Sequence, residues 1–189
     1  MMAAVAVLAA GGGYFAARLV SPPPDHRSLQ PSAPLATDQG PAATEMLGQR
    51  RPDFVLADAA GRTVTADAFD GQVVLVNFWA TWCTPCVEEM PMLSQLQQDH
   101  AGQGVTVVGI AVDEPERARE FARSLQLDYT VLFGLPEAML AGRRYGNGSG
   151  MLPYSVLVDR AGVIRWTRLG AVQRGQLEDQ LRSLRPERG

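Results

Sequence analysis

The sequence has 189 residues and is poor in the side chains that build metal centres: two cysteines and two histidines. Two cysteines are too few for a disulfide framework or a four-ligand zinc site, and His26 and His100 lie far from them in sequence, so no structural metal is expected. Positive charge does not dominate either, with 17 Lys and Arg against 20 Asp and Glu and a net charge of -3. No basic stripe interleaved with aromatics runs along the chain, which excludes the electrostatic footprint of a nucleic-acid binder. No internal repeat is found. What remains, 46% hydrophobic and 20% charged, suits one globular domain with appendages.

Residues 1–20, "MMAAVAVLAAGGGYFAARLV", are apolar except for Arg18, close to the roughly 20 residues a membrane-crossing helix needs. They read as a signal-anchor or a signal peptide. An uncleaved anchor is favoured, because Ala16 and Ala17 run straight into Arg18, a poor cleavage site. Residues 21–50 are dense in Pro, Ser, Ala and Gly and have few large apolar side chains. Such a stretch buries too little surface to offset chain entropy and reads as a flexible tether. The folded domain is expected over 51–189.

Within it, "DFVLADAAGRTVTADAF" gives two short alternating runs around an Ala-Ala-Gly-Arg turn, a hairpin. Val73–Trp79 and Val105–Val112 are continuous β-branched-rich runs, the mark of strands buried on both faces. Between them Val87, Met90, Leu93 and Leu96 recur at helical spacing, completing a βαβ unit. Asp113 and Glu116 resemble a capping box opening a second helix whose inward face carries Ala118, Phe121, Ala122 and Leu125. A short helix over 136–144, a hairpin turning at Ala161-Gly162, and a last helix with Leu177, Leu181 and Leu184 on one face follow. The expected class is α/β, a mixed sheet between helices.

The two cysteines, Cys83 and Cys86, stand in "NFWATWCTPCVEEMP" where the first buried strand gives way to a helix. A Cys-x-x-Cys at that junction is what a redox site needs. Unsatisfied N–H groups and the positive end of the helix dipole stabilise the Cys83 thiolate, lowering its pKa from about 8.5 towards 3.5 to 7.5. Cys83 is then the exposed nucleophile, and Cys86, one turn further in, closes the disulfide or resolves a mixed one. Pro85 sits in the helix's first turn, where its missing N–H costs nothing. Glu88 reads as a first-turn carboxylate complementing the dipole, and Pro91 as a kink. Two cysteines packed as small hydrophobes would be the bland alternative.

"FWATWCTPC", Pro91 and "LPYSVLVDRAGVIRW" resemble the thioredoxin superfamily, and within it the TlpA/ResA-like membrane-anchored thiol-disulfide oxidoreductases, over about residues 51–185. The resemblance implies a thioredoxin-like fold with an N-terminal β-hairpin extension spanning Phe54 to Phe69. It implies a cis-proline at Pro153 facing the disulfide, so that the Leu152-Pro153 backbone offers a substrate strand a partner. By it, Trp82, Thr84, Pro85, Leu152 and Pro153 bind substrate, and the redox-active disulfide is the only cofactor. Cytosolic thioredoxins carry a buried aspartate six residues before the first cysteine; here that residue is Asn77, which cannot ionise. Glu89 matches a glutamate of ResA-like members and is expected to tune the thiols or relay a proton.

Function then reads as a monomeric periplasmic reductant of protein disulfides, fed by a membrane thiol-electron transporter and acting in cytochrome c maturation or copper-site assembly. Two alternatives stay open. A peroxiredoxin-like peroxidase wants a threonine three residues before its cysteine, where this chain has Ala80, with Thr81 one position late. A copper-binding chaperone would use Cys83 and Cys86 as soft ligands, while Met90, Met92 and Met139 stand at helical spacings that suit core or rim packing more than copper ligation. "GRRYGNGSGMLP", residues 142–153, lacks the Lys-Ser/Thr of a phosphate loop and reads as a flexible loop leading to Pro153.

Overall fold

The structure, a computed structural model, describes residues 40–184; the expected anchor and most of the tether lie outside them. Seven strands and four helices follow in order: β1 (Val55–Ala57), β2 (Thr63–Thr65), β3 (Val73–Trp79), α1 (Thr84–Asp99), β4 (Val105–Ala111), α2 (Pro115–Ser124), β5 (Thr130–Phe133), α3 (Leu135–Arg144), β6 (Tyr154–Val158), β7 (Ile164–Leu169) and α4 (Arg174–Ser183). The single sheet has the order β2-β1-β5-β4-β3-β6-β7. β3, β4 and β5 are parallel, and the remaining pairings are antiparallel.

Alternation along the buried strands sorts side chains onto two faces. Val74, Val76 and Phe78 of β3 join Val108, Ile110, Tyr154 and Val156 in a core covered by α3, through Ala138 and Ala141, and by the hairpin, through Phe54 and Leu56. Val73 and Leu75 point the other way, onto Leu93 and Leu96 of α1 and Leu177 and Leu181 of α4. Trp79, at the end of the same row, packs with Cys83, Cys86 and Met90 and with Ala118 and Ala122 of α2. The α1 stripe expected from sequence is thus the buried one, with Val87 half-buried at its edge.

Four expectations change. The strand β5 was not anticipated: four residues of "TVLF" follow a helix too closely for periodicity to separate them. The hairpin is shorter than its 54–69 span, because Ala66–Phe69 form a 3-10 turn instead of strand. The folded domain reaches back before residue 51: Met46 is 6% exposed and sits in the core, Gly48 N donates to Ile164 O at 2.8 Å, and Ile164 N donates to Gln49 O at 2.9 Å. Finally, α2 is not opened by an Asp113 capping box. Its N-cap is Glu114, without a side-chain cap, while Asp113 is engaged elsewhere. α2 ends at Ser124, so Leu125 falls past the last inward position and is exposed. Among the described residues no helix is long and apolar enough to cross a membrane.

Candidate active site

β3 ends at Trp79, and the chain turns through Ala80–Trp82 into α1, whose N-cap is Cys83. Cys83 N donates to Ala80 O at 3.2 Å, while Cys83 O accepts from Cys86 N at 3.0 Å and Val87 N at 3.2 Å, the opening turn of the helix. Pro85 lies in the first turn, where no N–H is needed. The two sulfurs are joined in a disulfide, with the Cα atoms 5.3 Å apart. The expectation of an exposed Cys83 is corrected here. In the disulfide form Cys83 is only 5% exposed, packed in the cluster with Trp79 and Met90, while Trp82, Thr84 and Pro85 around it are open to solvent, Trp82 at 65%. Glu88 is also corrected: it is the fifth helical residue, and the first turn carries no acidic side chain. The positive end of α1 is therefore left to Cys83, which caps it.

The turn before Cys83 is pinned from across the sheet. Asp113, just past β4, accepts from Thr81 N at 2.9 Å and Thr81 Oγ1 at 2.5 Å through one carboxylate oxygen, and from Glu114 N at 2.8 Å through the other. Burial pushes the Asp113 carboxyl up, but these donors outweigh it and hold the group below its ordinary value. Sequence reasoning missed this contact, since the partners are 32 residues apart.

Behind the disulfide, Glu89 is 4% exposed. Being three residues after Cys86 on α1, it shares that cysteine's helix face. Asn77 Nδ2 donates to Glu89 Oε1 at 2.7 Å and to Ser155 Oγ at 3.0 Å, and Val172 N donates to Glu89 Oε2 at 2.7 Å. Burial raises the Glu89 carboxyl above its ordinary value, and the bonds from Val172 and Asn77 offset this only in part. Close by, Tyr129 has its hydroxyl pKa raised by burial and by the charge of Glu89. Asn77 Oδ1, Trp79 Nε1 and Tyr129 OH are buried without a hydrogen-bond partner among the described residues. Gly109, opposite Asn77 in β4, is a close-approach glycine: a Cβ there would fall 2.9 Å from the Tyr129 ring and 3.1 Å from Trp79 Nε1.

The Leu152-Pro153 peptide bond is cis. Leu152 packs against both the disulfide cluster and the α3-side core. The loop before it, expected from sequence to be flexible, carries side-chain hydrogen bonds of its own. Buried Asn147 donates through Nδ2 to Met151 O at 2.9 Å and accepts at Oδ1 from Ser149 Oγ at 3.1 Å, while Met151 N donates to Ser149 Oγ at 3.3 Å. The methionines do not converge: Met90 is sealed in the disulfide cluster, Met92 packs in the neighbouring one, and Met139 is exposed on α3. His100 caps the far end of α1, 3.2 Å from Glu178. Among the described residues no group of three His, Cys, Asp or Glu could hold a metal ion.

Residues 47–167 match the AhpC/TSA family. The thiol-disulfide oxidoreductase ResA of Geobacillus thermodenitrificans is 31% identical over 141 residues, 74% of this chain and 79% of that protein. A Chlorobium tepidum structure assigned as a thiol:disulfide interchange protein DsbE aligns with TM-score 0.66 and 30% identity over 73% of this chain and 96% of that one. A second C. tepidum structure, a thiol:disulfide interchange protein of the thioredoxin family, aligns with TM-score 0.63 and 28% identity over 71% and 94%. Sheet order, the Cys-x-x-Cys at the β3–α1 junction and these likenesses agree: the chain belongs to the AhpC/TSA family and is a thiol-disulfide oxidoreductase of the ResA-like, thioredoxin-fold kind.

Proposed function

We propose that the protein is a reductant of protein disulfides working outside the cytoplasm, held to the membrane by residues 1–20, with Cys83 as nucleophile and Cys86 as resolving thiol. The observation that carries this is the placement of Cys83 as the N-cap of α1 with Cys86 one turn behind it and buried, ionisable Glu89 one turn further. In the dithiol form the Cys83 thiolate attacks a substrate disulfide: a Cys83–substrate S–S bond forms and one substrate sulfur leaves as a thiol, taking a proton. Cys86 then loses its proton and attacks Cys83 Sγ, releasing the second substrate sulfur and closing the Cys83–Cys86 bond. Two electrons pass to the substrate. Glu89, whose carboxyl burial holds above its ordinary value, is the acceptor for the Cys86 proton, in the place where Asn77 cannot serve.

Trp82, Thr84, Pro85, Leu152 and Pro153 form the rim on which the substrate segment lies, the exposed indole giving it an apolar platform. A membrane thiol-electron transporter restores the dithiol, and the substrates are apocytochrome Cys-x-x-Cys-His sites or copper-site proteins. Peroxide chemistry is disfavoured by Ala80, a buried methyl where a hydroxyl would be wanted, and by Thr81, whose hydroxyl is engaged by Asp113.

The test is a Cys86→Ser trap expressed from the full-length gene. Mixed disulfides carried on Cys83 and absent from a Cys83→Ser control are expected, with extracytoplasmic thiol proteins among them. A trap that captures nothing, beside rapid peroxide consumption by the parent, would replace this reading with the peroxidase.

A further inference from the structure

On the α1 face of the sheet, Asn77 and Trp79 of β3 stand beside Gly109 and Ala111 of β4. Gly109 has no side chain to fill its place in that row, and the ring of Tyr129, the residue before β5, comes across it. A Cβ at Gly109 would meet Tyr129 Cε2 at 2.9 Å and Trp79 Nε1 at 3.1 Å, so the phenol edge and the indole N–H converge on one spot. Glu89 joins them from α1 through the bond it accepts from Asn77 Nδ2 at 2.7 Å, and its charge acts on the Tyr129 hydroxyl.

Three atoms of this buried group have no hydrogen-bond partner among the described residues: Asn77 Oδ1, Trp79 Nε1 and Tyr129 OH. An unmade bond at a buried polar atom is costly, and few atoms in native proteins go without one. The chemistry of the three is complementary. The amide oxygen only accepts, the indole only donates and the phenol does both. An internal water makes about three hydrogen bonds, and up to four, with such groups. Glu89 can take a further bond too, because a carboxylate offers about four acceptor positions while Val172 N and Asn77 Nδ2 occupy one on each oxygen.

The elements packed around the group bring no competing charge. From α2, Phe121 lies against the Trp79 ring and Arg119 is turned onto the Phe133 ring. Asp113, after β4, is bound to Thr81. From α1 come Glu89 itself and, one turn before it, Cys86, which titrates only once the disulfide opens.

We propose that Tyr129 is a positioning residue for the proton acceptor: with Trp79 Nε1 and Asn77 Oδ1, its hydroxyl holds one internal water against the Glu89 carboxylate. The water accepts from the indole and the phenol and donates to the amide oxygen and to Glu89. A donor aimed at the ionised carboxylate favours that form, so Glu89 can release in each cycle the proton it takes from Cys86. The proposal rests on the reading of Glu89 as that acceptor.

The test uses the full chain in its disulfide form, where no thiol titrates beside Glu89. Crystals of the parent are expected to show one ordered water within hydrogen-bond distance of Trp79 Nε1 and Asn77 Oδ1. Tyr129→Phe keeps the ring and removes the hydroxyl that holds the water. In carbon NMR of the Glu89 carboxyl, its titration midpoint is expected about one pH unit above the parent's, a change that loss of packing alone would not produce. The pH profile of disulfide-peptide reduction by the reduced chain should move the same way. A site without water in the parent, or an unmoved Glu89 midpoint in folded Tyr129→Phe, would overturn the proposal. The parent crystals decide the matter even where the variant does not fold. A pH profile indifferent to both Glu89→Gln and Tyr129→Phe, beside a hydrated site and a shifted midpoint, would instead overturn the proton-acceptor reading and uphold the water site.

Discussion

Glu89 is the residue whose chemistry is most at odds with its surroundings: a carboxyl almost without solvent, held by one backbone N–H and one amide. Its folded-state pKa lies above the ordinary value of 4.5, so the folded protein holds this proton more tightly than the unfolded chain. Its contribution to stability is full below 4.5 and is lost as pH rises through the raised folded value. Glu89→Gln removes that dependence. Chemical denaturation of parent and variant from pH 4 to 8 should therefore show the variant gaining on the parent as pH rises; parallel curves would mean that Glu89 titrates normally. The same substitution should slow resolution by Cys86 and flatten the pH profile of substrate reduction. Gly109 is the second residue-scale test. Gly109→Ala drives a methyl into Tyr129 and Trp79 and should cost about 1–3 kcal/mol, measured as a lower denaturation midpoint. No loss would mean that the Tyr129 ring has room to retreat.

At the scale of elements, α2 shows how a boundary can be set without its usual residue. Gln126 N donates to Arg123 O at 3.0 Å and Leu127 N to Ala122 O at 3.5 Å, the paired bonds of a Schellman ending, with Gln126 at φ 50°. That left-handed position ordinarily belongs to glycine, so the sequence carried no stop signal there, and the short strand β5 that follows went unread. Gln126→Gly should relieve the strain and stabilise the protein by about 1 kcal/mol, raising the urea midpoint; a fall would indicate that flexibility gained in the unfolded chain outweighs it. The β3–α1 junction shows the reverse case. A strand of β-branched residues, a Pro in the first turn and apolar residues at helical spacing all point to the same break, and Cys83 falls on it.

Over the whole molecule, the hairpin and the segment before it are attached more by packing than by the sheet. β1 meets β5 through one register pair, Ala57 with Phe133, while Phe54 and Leu56 enter the core, Tyr145 OH donates to Pro52 O at 2.8 Å, and Arg51 binds Asp70 at 2.6 Å. Residues 40–50 close the same side: Gly40 lies against the Arg143 carbonyl, Gly146 against Ala43, and Met46 fills the core. Met46→Ala should cost about 2–5 kcal/mol by leaving a cavity, read by thermal or urea unfolding. An unchanged midpoint would mean that this segment is only laid upon the domain.

Sequence alone determined where most strands and helices run, β5 and the ends of α2 excepted, because burial on one or both faces imprints a period of two, a period near 3.6 or a continuous apolar run on neighbouring residues. It also determined that the cysteines lie at a strand-to-helix break, and resemblance carried the cis bond before Pro153. Tertiary structure alone decided that Cys83 is covered in its disulfide form, that Thr81 is held by Asp113, and that Glu89 shares Asn77 with Ser155 and takes its other hydrogen bond from Val172. Those relations join residues as much as 83 positions apart. Local periodicity specifies only which way a side chain faces; what it meets there depends on how the elements pack.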